Sequence, residues 1–256
     1  MTASLQLLRY ASWLFALQPV AGFTHCQPLD RPQPEPRDIV RKMAGTYDAL
    51  ASPLMIRVEA TRRQVRGATV HEVKRLYRLV QGSGRIRIDV LPDKAGATRT
   101  TLLDNGSDLL LYMQEPKRYY RATREDPASA LIEATIANIR HGLYSRWSGL
   151  AASEYTAHSL RRGVVTIERS RYHCYRIDVK SQNPTDGEWS GEVWIDEERS
   201  VPRRARLRRM ADGAIMEEDL TWSEMLTGDS VPVHDLHWVP DAAAQVMKTL
   251  PPIIPH

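Results

Sequence analysis

The stretch GRIRIDVLP, residues 84–92, alternates apolar and charged side chains without a break, and such alternation recurs along most of the chain. In an extended strand successive side chains point to opposite faces, so Ile86, Ile88 and Val90 share one face while Arg85, Arg87 and Asp89 share the other. From Leu54 to Ala122 the same period organises LMIRVEATRRQV, HEVKRLYRLVQ, ATRTTLL, LLLYM and RYYRA, separated by RGAT, DNGSD and QEPK, all of them turn chemistry. After Gly163 the strands resume as VVTIERS, YHCYRIDVK, EWSGEVWID, VPRRARLRRM, AIMEEDLTW and VHDLHW. The connections are too short for crossover helices, so the sheet they predict is antiparallel.

Two segments break the pattern with helical spacing. Before the first strand, Asp38 reads as a cap for a helix carrying Ile39, Val40, Met43, Ala44, Tyr47 and Leu50 on one face. Between the two runs of strands lies DPASALIEATIANIRHGLYSRW, residues 126–147. There Asp126-Pro127 reads as a helix start, and Ile132, Ile136, Ile139 and Leu143 form an apolar stripe. Residues 151–162 read as a further short helix. The fold class is therefore α+β, with one antiparallel sheet of about eleven strands by this reading. A sheet that wide curls strongly, and the helices cover its concave side as a lid, which predicts a half-barrel.

The N-terminus reads as a separate unit. Tyr10 to Gly22 is apolar but short of the ~20 residues that a membrane span needs, and Val20-Ala21-Gly22 suits a cleavage site. Residues 1–25 read as a secretory signal, the alternative being a buried N-terminal helix. Bulky His25 before Cys26 argues against lipid anchoring there. Residues 27–37 hold four prolines in eleven positions, so 26–37 reads as a tether, 38–247 as the folded domain and 248–256 as a tail. Export leaves two cysteines, Cys26 and Cys174, and their pairing stays open.

Charge points in no single direction, since 35 basic residues face 31 acidic ones for a net charge of +4. The five arginines between Pro202 and Met210 look like a nucleic-acid surface, but no aromatic interleaving or recognised motif accompanies them. On a strand, Arg204, Arg206 and Arg208 share a face. Two readings stay open for it: a solvated surface paired with cross-strand acids such as Glu192, Glu217 or Glu218, or a docking face for an acidic partner or lipid phosphates.

Candidate chemistry is sparse. His234 and His237 sit three apart on a predicted strand and diverge, so they make poor joint metal ligands. The QGSGR stretch opens a strand and lacks the helix N-terminus that makes such loops bind phosphate. No nucleophile elbow is recognisable. The reading assigns no catalytic residue, metal or cofactor. In a half-barrel the inward side chains are both core and ligand wall. The wall candidates are Ile86, Ile88, Val90, Leu109 and Leu111 from the first run, with Leu220 and Trp222 from the second. The lid adds Ile132, Ile136, Ile139 and Leu143.

Four patches in this order resemble the LolA/LolB-like superfamily of cell-envelope proteins, which includes lipoprotein carriers, RseB/MucB sensors and lipoprotein-sorting families. They are DIVRKMAGTYDAL, LLDNGSDLLLYMQEPKRYYRA, CYRIDVKSQ followed by GEVWIDEERSVPRRARLRRMADG, and the closing VPVHDLHWVPDAAAQV. The resemblance covers about residues 37–247. It implies a periplasmic, non-enzymatic binding protein, a monomer, that carries or senses a lipid, acyl chain or lipoprotein in an apolar cavity. Its alternative is a regulator docking on a membrane-anchored anti-sigma factor, as RseB-like proteins do.

Overall fold

The computed structural model describes residues 34–50, 52–92, 99–152, 154–183, 187–211 and 213–251. The signal reading, most of the tether and Cys26 lie outside these residues. Helix α1 (Pro36–Asp48) leads into six strands: β1 (Leu54–Arg66), β2 (Thr69–Gly82), β3 (Arg85–Pro92), β4 (Thr100–Asp104), β5 (Asp108–Met113) and β6 (Arg118–Thr123). Helix α2 (Ser129–Arg140) follows, and then β7 (Glu154–Ile167), β8 (Ser170–Asn183), β9 (Gly187–Asp196), β10 (Pro202–Ala211), β11 (Ala214–Thr227) and the short β12 (Gln245–Val246).

The strands form one 12-stranded sheet in the order β12-β6-β5-β4-β3-β2-β1-β11-β10-β9-β8-β7. The two strand runs are joined where β1 pairs with β11, and every pairing is antiparallel except β12 with β6. Both helices lie on one face. There α1 packs on β7 and β9 while α2 packs on β4 and β5. At about 4.8 Å per strand, a flat sheet would hold those two wings roughly 40 Å apart, far beyond two helix diameters. The sheet therefore curves around the helices as a half-barrel.

Alternation decides what fills the inner face. Ile56, Val58, Tyr77, Leu79, Ile88, Leu102, Leu220 and Trp222 join Val40, Met43, Tyr47, Ile132 and Trp147 in one buried cluster. A hydrogen-bonded chain ties sheet to helices at its centre. Trp222 Nε1 donates to the Tyr47 hydroxyl at 3.2 Å, which donates to the Leu143 carbonyl at 2.9 Å. That carbonyl belongs to a π-helical turn, His141–Ser145, which continues α2 toward Trp147. Between β9 and β10 the backbones come very close: a Cβ on Gly191 would stand 2.0 Å from the Arg206 carbonyl oxygen, so only glycine fits.

Four local expectations are corrected. Helix α1 begins at Pro36, placing Asp38 in its first turn, where a carboxylate favours the helix dipole without capping it. Likewise α2 begins at Ser129, and Asp126 instead accepts the Ala128 N–H and the Tyr120 hydroxyl in the preceding turn. Residues 154–162 belong to strand β7, whose alternation is broken by a bulge between His158 and Arg161 with Ser159 at φ 58°.

The fourth concerns VHDLHW, which is a 3₁₀ turn over Val233–His237 instead of a strand. It belongs to a strap that crosses the outer face. Val231 and Leu236 cover Met55 and Val80. Asp235 takes Arg78 and Arg87, and Trp238 packs edge-on against Tyr112 at 4.9 Å. Asp89 is fully buried beneath, among Arg78, Arg87, Arg99 and Thr101. The chain then pairs with β6 through Gln245 N–H to Lys117 O and Met247 N–H to Tyr119 O. Met247 and Leu250 finish against the inner cluster, so the strap rounds the sheet edge.

Candidate functional site

A pocket of about 250 Å³ opens between the helical segment around the π-helical turn and the strands β1, β9, β10 and β11. The sheet contributes Arg62, Trp189, Leu207, Arg209, Met216 and Glu218, and the helix side contributes Asn138, His141, Gly142 and Arg146. Arg208 and Glu217 complete the lining. A second hollow of about 220 Å³ shares Arg62 and Met216 and extends along β1 and β2 past Tyr77, Gln64 and His71.

The floor is charged. Arg62 Nε donates to Glu218 at 2.7 Å, and Arg146 Nη1 donates to the other carboxylate oxygen at 2.8 Å. These three side chains are mostly buried, at 27%, 9% and 14% exposure. Burial pushes the Glu218 carboxyl upward, but the Arg146 and Arg62 charges outweigh it and hold it at about 2. One carboxylate thus stands between two guanidinium groups. Glu217 is engaged by Arg63 at 3.5 Å. The lining as a whole carries four arginines against two glutamates, beside the apolar Trp189, Leu207 and Met216.

Three buried tryptophans stack edge-on here, with Trp147 5.2 Å from Trp222 and 6.3 Å from Trp189. Two of their indole N–H groups are satisfied, Trp222 by Tyr47 and Trp147 by the Gly142 carbonyl at 3.1 Å. The third, Trp189 Nε1, is buried and has no acceptor among the described residues.

Solved structures similar to this chain include LprF from Mycobacterium bovis, at 13% identity over 77% of this chain and 96% of that one, with a TM-score of 0.45. A LolA superfamily protein from Nitrosomonas europaea is 13% identical over 80% of this chain and 98% of that one, with a TM-score of 0.32. The MucA/MucB complex of Pseudomonas aeruginosa is similar at 14% identity over 84% of this chain and 66% of that one, with a TM-score of 0.36. The chain is similar in fold to LolA superfamily proteins. At these identities the likeness extends to the path of the chain and to no site chemistry. No family model and no curated protein matches the sequence.

The wall candidates fall where alternation puts them. Ile88, Val90, Leu109, Leu111, Leu220 and Trp222 are buried in the inner cluster with the lid residues Ile132, Ile136, Ile139 and Leu143, and Ile86 packs half-buried at its margin. They pack against one another, and the pocket lies beside them. Its charged residues are not among those candidates. A signal for them exists in the sequence: Arg62 shares strand parity with Val58 and Ala60, and Glu218 with Leu220 and Trp222, so both are charges on an apolar face.

On the outer face, Arg204 and Arg206 pair with Asp219, at 2.6 and 3.2 Å, and both flank the Trp194 ring, as does Arg176. Arg208 is exposed. Of the acids expected opposite them, Glu192 pairs with Arg176, Glu217 with Arg63, and Glu218 is on the inner face; Asp219 takes their place. Cys174 is buried beside Val165 and Ile167, and burial pushes its thiol up to about 12, which makes it a poor nucleophile. Among the described residues no group of three or more His, Cys, Asp or Glu is placed to hold a metal ion.

Proposed function

We propose that this chain is a non-enzymatic binding protein of the cell envelope, which takes the apolar chain of a lipid or lipoprotein into the inner face of its half-barrel. The carrying observation is that the pocket and the apolar cluster share one wall. Asn138, His141 and Gly142 border the opening, while Ile132, Ile136, Ile139 and Leu143 of the same helical segment seal the cluster. Lifting that segment would join the pocket to the surfaces of Leu220, Trp222, Ile88, Val90, Leu109 and Leu111. Each methylene buried there contributes about 0.8 kcal/mol, so a single acyl chain supplies ample affinity. A carrier must also release its cargo, which a hinged helix allows and a closed barrel does not. The periplasmic placement rests on the N-terminal stretch read above.

The test is binding of a fluorescent long-chain fatty-acid methyl ester, with lipids co-purifying with the native protein identified by mass spectrometry. Saturable one-to-one binding without hydrolysis is expected. Release of the free acid would point to a hydrolase, and absence of any binding would remove the reading.

A further inference from the structure

The tips of two hairpins carry an apolar row. Val70, Val65, Ile215 and Met210 lie side by side across β2, β1, β11 and β10, since Val65 pairs with both Val70 and Ile215, and Ile215 pairs with Met210. They share strand parity with Arg63, Glu217 and Arg208, which puts them on the outer face. Val70 and Met210 are 49% and 68% exposed, and the two between them are half-buried. We propose that this row docks the protein on an anionic lipid bilayer, with Val70 and Met210 entering the interface and Arg206 and Arg208 meeting lipid phosphates. The proposal deepens the function above by naming the surface that gives up or receives the ligand, and it rests on that reading for the ligand itself.

Contiguity is the first observation. Single exposed apolar side chains are ordinary, whereas four in one row across four paired strands at the end of a sheet form a patch. The strap covers the same face around Met55 and Val80, which lie about 30 Å along β1 and β2 from Val65 and Val70. The second observation is charge. Behind Met210 on β10, Arg208 is exposed and has no ion pair among the described residues, and Asp219 is shared by Arg204 and Arg206. Glu217 is taken by Arg63, while the exposed Glu72 stands on β2, at the opposite end of the row from Arg208. Guanidinium groups set behind an apolar edge match a bilayer, whose phosphates lie outside its apolar interior. Position is the third. The inner faces of the same hairpins line the two hollows, through Gln64 and His71 on β1 and β2 and Met216 on β11. Gln64 and Met216 adjoin Val65 and Ile215 in the chain, so a lipid at the row lies one strand residue from the lining of the hollows.

The experiment floats the full chain with vesicles of phosphatidylcholine alone, or of phosphatidylcholine and phosphatidylglycerol in equal parts. At low salt the wild type is expected to partition onto the anionic vesicles about tenfold better, and added salt should narrow that ratio. Val70→Ser with Met210→Ser should weaken binding to the anionic vesicles about tenfold, through lost apolar burial. Arg206→Gln with Arg208→Gln should abolish most of the preference for phosphatidylglycerol. All variants keep the same N-terminal stretch, so only the row differs between them. Val239→Ser alters an exposed apolar residue of the strap and should change nothing. Equal partition of the wild type onto both vesicles, or unchanged partition of the Val70 and Met210 variant, overturns the inference. So does a wild-type dimer that ignores vesicles and falls apart in that variant, which assigns the row to a second copy. Binding of the fluorescent fatty-acid methyl ester is read on the same samples. Ester binding without vesicle docking removes this inference and leaves the lipid-binding reading standing. Docking without ester binding removes that reading and leaves the bilayer as a docking surface alone.

Discussion

Glu218 shows how one residue can be misplaced by its chemistry and placed by its neighbours. In AIMEEDLTW three acids run together, and composition alone suggests a solvated stretch. Parity separates them: Glu217 and Asp219 meet arginines on the outer face, whereas Glu218 turns inward to Arg62 and Arg146. Its carboxyl is held at about 2 against an ordinary 4.5. A folded-state value below the unfolded one means the stabilisation is present above about 4.5 and is lost as pH falls from there through 2. Glu218→Gln should therefore destabilise the protein by about 3 kcal/mol at neutral pH, because two buried guanidinium groups lose their counter-charge. It should also flatten the acid limb of the stability curve. Urea titrations of both proteins from pH 7 down to pH 3 measure this, and an unchanged acid limb would mean another carboxylate controls it.

Elements were legible where local pattern and tertiary environment agree. The alternation of β3 and the stripe of α2 place Ile88, Val90, Ile132, Ile136 and Ile139 in the core as read. The pattern misleads where a local break hides it. The bulge at His158/Arg161 shifts β7 by parity, so residues 151–162 read as helix, and apparent alternation in VHDLH imitates a strand where the chain turns. The pocket was not legible because its lining comes from four strands, β1, β9, β10 and β11, and from the helical segment that runs from α2 to Arg146. Helix α2 also differs from the sheet in how it is held. Its N-terminus has no side-chain cap, its C-terminus opens into the π-helical turn, and its packing partners are β4 and β5 at one wing. If it lifts for ligand, its amides should exchange through an opening at least about 2 kcal/mol below that of β1 and β11. Native-state hydrogen exchange reads both in one experiment, and protection of α2 equal to that of the central strands would count against a lifting helix.

At the scale of the whole molecule, the outer face explains why a curved sheet with a polar back can still be stable. Alternation predicts Arg87 and Asp89 to be solvated, and both are buried. The cause lies some 150 residues away in the chain, in Asp235, Leu236 and Trp238, which no local pattern connects to them. The strap fixes the first run of strands from behind while the helices fill it from the front, and β12 occupies the edge that β6 would otherwise expose. Its apolar and ionic parts should therefore be separable. Leu236→Ala removes a side chain packed on Met55 and Val80 near Gly82, where the space is already tight, and should cost about 2–4 kcal/mol. Asp235→Ala leaves Arg78 and Arg87 to Asp89 alone and should cost a comparable amount, reduced by added salt because Asp235 and Arg78 keep some exposure. Thermal melts of both variants at low and high salt measure the two parts. If the strap only decorates the sheet, both melts will match the wild type within about 0.5 kcal/mol, as surface substitutions do. If it is the back wall that holds the half-barrel open, both will fall, and only the Asp235 variant's deficit will narrow as salt is raised.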